Sequence, residues 1–453
     1  MAPITMQNSE LRKEHALHAQ KSVFVVRALI LMGAMMALIV NCCEPGNLSS
    51  AFAAVMTILL SFYLVIIARK NWLLVVVFFF VALCCYSFCI VNYFDIQIIS
   101  PYVQLRGTLD AFTGINVMLV FLTCITVLMP LRINVFPRKF VFIDPKRESA
   151  TVAIACGACV IATGLLGLGE AYGIGSRIRI TSIYEYAVIL FMLGLFFSGG
   201  NRKTLVFLTC ALVFRVFLDF SIGGRITSIE LVSVWFLMVV SDRVNIRKVA
   251  PFAVLAFVIM LTVGELRGDS FSLDATLQGV RDFSQAGFAW DGAYSAYYTS
   301  LTFLSYENMV SVAERLHSFF LFLASIVLGG SVEGSNLALV TREGIWNMGG
   351  GYYPFFFHYY LGWGGVVVFS LLLGAILRFM ANMGDGRPLS GFQLICSVWV
   401  SAMAFRWFQY NPMLLPRGLF FLACLYAVLY IFSARRNGIP STFSDAMLFR
   451  SNN

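Results

Sequence analysis

Charge is what this chain has least of. Only 12% of its 453 residues are Asp, Glu, Lys or Arg, against about 25% in soluble domains. Hydrophobic residues make up 59%, and the mean hydropathy is +0.83. Such a composition excludes an ordinary soluble domain and predicts a polytopic membrane protein. Histidine is scarce, at four residues. No His, Cys, Asp or Glu grouping has metal-ligand spacing, so neither a metal nor a cofactor is expected. The 11 cysteines lie mostly inside apolar runs, where cysteine behaves as a small hydrophobe. Even the CxxC spacing of Cys156 and Cys159 falls mid-run with no histidine beside it, and carries no redox or zinc expectation. No small-residue cleavage site follows the first apolar run, so no removable leader is expected. Sequence repeats and a low-complexity tail are missing as well.

Apolar runs are abundant. About 20 apolar residues cross a bilayer as a helix, and candidate spans fall at residues 22–41, 51–68, 72–91, 111–130, 150–169, 184–199, 203–220, 226–240, 249–265, 354–377, 390–410 and 414–433. The segments joining them alternate in basic content. One set carries Arg12, Lys13 and Lys21; Arg69 and Lys70; Arg132, Arg138, Lys139, Lys146 and Arg147; Arg202 and Lys203; Arg243, Arg247 and Lys248; Arg378 and Arg387; and Arg435, Arg436 and Arg450. Every lysine in the chain is in that set. Cytoplasmic loops retain Lys and Arg, so both termini are expected in the cytoplasm. The net charge of +9 then reports topology and implies no nucleic acid. The fold class expected is an all-α polytopic membrane protein of about 12 transmembrane helices. It forms one domain over residues 1–453, with a large outward loop at 267–353 inserted between helices.

That loop is the longest polar interruption. Residues 272–285 and the Tyr294–Leu304 stretch repeat apolar residues at helical spacing, which predicts amphipathic helices near the surface. If the apolar run Leu316–Gly330 crossed the membrane, Arg378 and Arg435 could not both stay inside. It is therefore expected to be re-entrant or surface-lying.

The cations left over are all arginine. Arg215, Arg225, Arg406 and Arg417 sit at the outward ends of spans, with Arg177, Arg179, Arg267 and Arg281 just beyond. An arginine inside hydrocarbon costs several kcal/mol and marks function by default. The plainer reading is snorkelling, or pairing of Arg215 with Asp219. As a group, arginines with no lysine suit an anionic lipid headgroup, because the planar guanidinium binds phosphate oxygens bidentately. Arg27, near the inner end of the first run, reads as snorkelling. His317, His358 and Glu343 are the candidate general bases on the outward side, with Glu265, Asp269 and Glu333 competing. The outward aromatics Trp290, Tyr294, Tyr297, Tyr298, Trp346, Tyr352 and Tyr353 suit either sugar stacking or an interfacial belt.

Three stretches resemble the O-antigen polymerase family, the multi-spanning enzymes that polymerise undecaprenyl-pyrophosphate-linked repeat units. Ser221-Ile-Gly-Gly-Arg225 is similar to the family's glycine-arginine turn between two spans. Leu266-Arg267-Gly268 opens the large loop as an arginine does in relatives. Gly349-Gly-Gly-Tyr352 through Tyr360-Leu-Gly362-Trp-Gly-Gly365 resembles the glycine-led entry into the following span. The resemblance implies a metal-independent glycosyltransferase of the bacterial inner membrane, with its site facing the periplasm. Its expected partners are the lipid-linked oligosaccharide, membrane lipids and a chain-length regulator protein. His317, Glu343 or His358 would be the base, and arginines would hold the pyrophosphate. An acidic residue common in relatives is Phe356 here, so its role falls to His358 or Glu343, or is absent. An O-antigen ligase and a polysaccharide or lipid transporter without catalysis are the alternatives. A transporter should show discontinuous helices at midplane depth.

Overall fold

The structure, a computed structural model, describes residues 3–94, 108–134, 148–170, 182–221, 226–244, 287–329, 332–383 and 390–436, with positions 249, 281, 284 and 285. Every regular element among them is helical: α1 (Pro3–Cys43), α2 (Asn47–Ala68), α3 (Trp72–Tyr93), α4 (Leu109–Leu128), α5 (Ala150–Glu170), α6 (Ser182–Phe197), α7 (Arg202–Ser221), α8 (Ile226–Trp235) with a π turn at Phe236–Val240, α9 (Asp291–Glu307), α10 (Val312–Leu328), α11 (Leu337–Gly344), α12 (Tyr353–Ala381), α13 (Gly391–Ala402), α14 (Ala404–Trp407) and α15 (Leu414–Arg436). An all-helical answer is what apolar surroundings demand, since a helix satisfies its own backbone polar groups.

Six described helices are long and apolar enough to cross a membrane: Lys21–Cys43, Asn47–Ala68, Trp72–Tyr93, Leu109–Leu128, Tyr353–Ala381 and Leu414–Ser433. Shorter apolar helices cover Ala150–Leu166, Tyr186–Phe197, Ile226–Val240 and Gly391–Ala402. The seventh expected span is α7, whose Arg202, Lys203, Arg215 and Asp219 dilute its apolar character. The ninth, 249–265, lies outside the described residues, as does the amphipathic stretch expected at 272–285 apart from isolated positions.

Five of the described basic residues share one end of the bundle. Asn71, the N-cap of α3, donates to the Met380 carbonyl at 2.9 Å, and the Asn134 amide donates to the Ala381 carbonyl at 3.1 Å. These contacts bring Arg69, Lys70, Arg132 and Arg378 to a common end. Arg27 is there too, and does more than snorkel. It donates to the Met129 carbonyl at 2.7 Å, to Val127 at 2.6 Å and to Thr126, capping the carbonyls that the last turn of α4 leaves open.

The opposite end is built from two helical hairpins. α9 was expected at the surface, yet it packs inside the bundle. Tyr297 stacks on Phe88 with centroids 4.1 Å apart and shares a 2.6 Å hydrogen bond with Tyr93. Gly114 of α4 leaves room for Leu301, which any side chain there would strike. α9 then turns into α10 through a capping box, Ser311 with Glu314. α12 also differs from the expected single span. The Phe357 and Phe369 rings stack at 3.7 Å, and the Tyr353 hydroxyl donates to the Phe369 carbonyl at 3.2 Å. In a straight helix, residues 12 apart lie about 18 Å apart. The chain therefore reverses at Gly362 (φ 61, ψ −152), which divides α12 into an outgoing limb, 353–361, and a returning limb, 363–381. A Cβ at Gly365 would overlap the Phe357 carbonyl oxygen, so glycine there lets the limbs close together.

α9 and the outgoing limb run parallel, joined by Phe303 against Phe356 (4.9 Å) and Tyr306 against Tyr359 (6.2 Å). α10 descends beside them, with Phe322 near Phe357 and Gly329 near Arg417. The chain then climbs back, so that Gly344, the last residue of α11, meets Tyr306. The described part of the Leu316–Gly330 run, to Gly329, thus leads away from the tip, and by Gly344 the chain is back beside it.

Candidate functional site

The two hairpin tips meet in a cluster of three ionisable side chains. Glu307 is the last residue of α9, Arg315 stands in the first turn of α10, and His358 is near the end of the outgoing limb. His358 Nδ1 lies 2.9 Å from Glu307 Oε2, and Arg315 Nη1 donates to Glu307 Oε1. Arg315 also donates to the Tyr359 carbonyl at 3.4 Å. The Phe303–Phe356 and Tyr306–Tyr359 contacts set the register that brings residue 307 level with 358. The cluster is largely withdrawn from solvent: side-chain exposures are 9% for His358, 18% for Glu307 and 15% for Arg315.

An imidazole that donates Nδ1–H to a carboxylate turns its Nε2 lone pair outward, the arrangement of an oriented general base. Here Nε2 of His358 is buried and has no hydrogen-bond partner among the described residues. A buried polar atom left unpaired costs about 1–3 kcal/mol, so an unpaired base nitrogen at a hairpin junction marks a place where another group binds.

Compared with known protein families, with curated proteins and with solved structures, the chain matches none.

The other predicted site residues are dispersed. Arg177, Arg179, Arg225 and Arg267 lie outside the described residues, as does most of the Ser221–Arg225 turn. Arg281 is exposed. Arg215 is fully buried; its Nε donates to Asp219 at 2.9 Å and its Nη1 to Thr163 Oγ1 at 2.9 Å. Ser228 donates to the other Asp219 oxygen at 3.1 Å, so this network ties α5, α7 and α8 together. Arg406 Nε donates at 3.0 Å to Glu230, whose side chain is wholly buried. His317 is exposed on α10 and Glu343 is exposed near the end of α11; neither reaches the tip cluster.

Arg417 is different. It is 8% exposed, lies 6.0 Å above the Phe421 ring, and has no carboxylate partner among the described residues. It lines a cavity of about 20 Å³ together with Trp399, whose buried Nε1 is also unpaired. Along α10, residue 315 is about 21 Å from residue 329 at ~1.5 Å per residue. Gly329 is the residue that faces Arg417. The Arg417 cavity and the tip cluster are thus separate places.

Of the expected stacking aromatics, Tyr294, Tyr297, Tyr352 and Tyr353 are buried and pack on one another or on neighbouring helices. Trp346 stays exposed against Tyr298. Sequence reasoning missed Glu307 and Arg315 as partners of His358. Their signal was Ser311-x-x-Glu314, a capping box that marks the start of a helix and makes 308–311 a hairpin turn with those charges on either side.

Proposed function

We propose that the protein polymerises undecaprenyl-pyrophosphate-linked repeat units at the periplasmic face, with His358 as the general base. The observation that carries this reading is the Glu307-oriented imidazole with an unpartnered Nε2, at the end of the bundle opposite Arg69, Lys70, Arg132 and Arg378. His358 Nε2 takes the proton from an acceptor sugar hydroxyl, and the freed oxygen attacks the anomeric carbon of the growing glycan. The carbon–oxygen bond to the pyrophosphate breaks, and undecaprenyl pyrophosphate leaves with the electron pair. The imidazolium so formed is balanced by Glu307, which Arg315 holds in place. Arg417, on α15 beside the far end of α10, is too distant to meet the leaving group at His358. That contact falls to Arg177, Arg179, Arg225, Arg267 or Arg281, while Arg417 suits a lipid phosphate elsewhere. A chain-length regulator and membrane lipids remain the expected partners.

In cells lacking the gene, surface lipopolysaccharide should carry a single repeat unit. His358→Ala should fail to restore the ladder, with polymerisation down about 10²–10⁴-fold; Glu307→Gln should impair it, and His317→Ala and Glu343→Ala should restore it. A full ladder from His358→Ala sinks the base assignment. Loss of all repeat units in the deletion points instead to a ligase or a flippase.

Transport without catalysis is the second reading. Two interrupted helices favour it, since α12 reverses at Gly362 and a break at Met403 separates α13 from α14. The same gel decides, because a transporter's loss removes the repeat unit altogether.

A further inference from the structure

A general base must be reached by its substrate, and Nε2 of His358 is covered. The ring that lies against the imidazole is Trp363, edge to face, with centroids 5.0 Å apart and planes at 86°. Trp363 is itself 43% exposed. A large exposed aromatic therefore packs against an imidazole whose Nε2 is buried and unpaired.

Its attachment is unusual. Trp363 stands between Gly362 and Gly364, and a Cβ at either glycine would meet nothing within 4 Å. Tight packing of the two limbs begins only at Gly365, where a Cβ would lie 2.8 Å from Leu361 Cβ. Gly362 holds φ 61 and ψ −152, a region that glycine alone enters freely. The indole is thus mounted at the tip of the hairpin, between two glycines that have open space around them.

We propose that Trp363 is a movable cap and sugar platform. In the empty protein it covers His358 Nε2; when the lipid-linked acceptor arrives, it swings aside and stacks on a pyranose ring, setting a ring hydroxyl at Nε2. The electron-rich indole face attracts the C–H-lined face of a pyranose as it does other partly positive groups. A cap also has a chemical purpose. Water at Nε2 would be activated as a sugar hydroxyl is, and would hydrolyse the donor; exclusion of water prevents that side reaction. The platform role rests on the glycosyl-transfer reading, whereas the cap role does not.

The test uses the full chain in detergent and diethyl pyrocarbonate, which modifies unprotonated imidazole. Peptide mass spectrometry follows His358, with the exposed His317 of the same molecule as reference. Trp363→Ala should speed His358 modification several-fold relative to His317, and Trp363→Phe should keep it slow. Trp363→Leu carries the same comparison if the alanine variant does not fold. Equal His358 rates in wild type and both small-residue variants overturn the cap. With lipid-linked repeat units extracted from cells lacking the gene, Trp363→Ala should raise the acceptor KM about tenfold with a smaller change in kcat, and Trp363→Phe should largely restore it. An unchanged KM overturns the platform. If wild type transfers nothing, the glycosyl-transfer reading and the platform fall together, while the labelling result still decides the cap.

Discussion

Glu230 and Arg406 show how a buried charge can serve position rather than chemistry. Their 3.0 Å contact joins α8 to α14 across 176 residues of chain. Removing one partner of a buried pair strands the other, at a cost of about 3–5 kcal/mol. Glu230→Gln should therefore lower the thermal unfolding temperature in detergent sharply, and adding Arg406→Met should recover much of the loss. If Glu230→Gln unfolds like wild type, the pair is not holding α14. Glu314 gives a second residue-scale outcome. The Ser311 amide (2.7 Å) and hydroxyl (2.9 Å) both donate to it, which holds its carboxyl below the usual range. A carboxyl lowered by folding stabilises the folded turn above its unfolded pKa, and that support is lost as pH falls through the folded value. Hydrogen exchange at residues 311–315 should thus quicken below about pH 4 beyond the intrinsic pH effect. Glu314→Gln should remove that extra dependence.

Among elements, α12 separates what hydropathy reveals from what it conceals. The boundaries of α2, α3 and α4 fall within a few residues of the apolar runs that predicted them, because a helix in lipid is as long as its apolar stretch. The 354–377 run reads as one such stretch, yet its first residues run opposite to the rest. A reversal between two apolar limbs leaves no hydropathy signal; only Gly362, Gly364 and Gly365 around Trp363 mark it. The site was half legible for the same reason. His358 stood out in the chain as one of four histidines, but its pairing with Glu307 spans 51 residues and depends on aromatic register. The glycines have distinct duties, and mutation separates them. Gly365→Ala should cut the yield of folded protein, because its Cβ overlaps the Phe357 carbonyl oxygen, whereas Gly364→Ala should fold normally. Equal yields would mean that the limbs are not in contact at Gly365.

For the whole molecule, topology is the coarse property that everything else assumes. Single cysteines placed in a background without native cysteines should report it. At Lys70, a membrane-impermeant maleimide should label only inverted vesicles, and at Asn308 only intact spheroplasts. Labelling of both from one side would break the link between the basic end and the cytoplasm. The twin-hairpin tip also governs timing. A chain made from its N-terminus at about 5–20 residues per second emerges with Glu307 well before His358, a delay of roughly 3–10 s. The Gly362 reversal comes later still. Until the second hairpin is in place, the first carries Glu307 and Arg315 without the imidazole of His358. A product truncated or stalled before residue 358 therefore lacks the three-residue cluster, which comes into being only once the outgoing limb of α12 is in place.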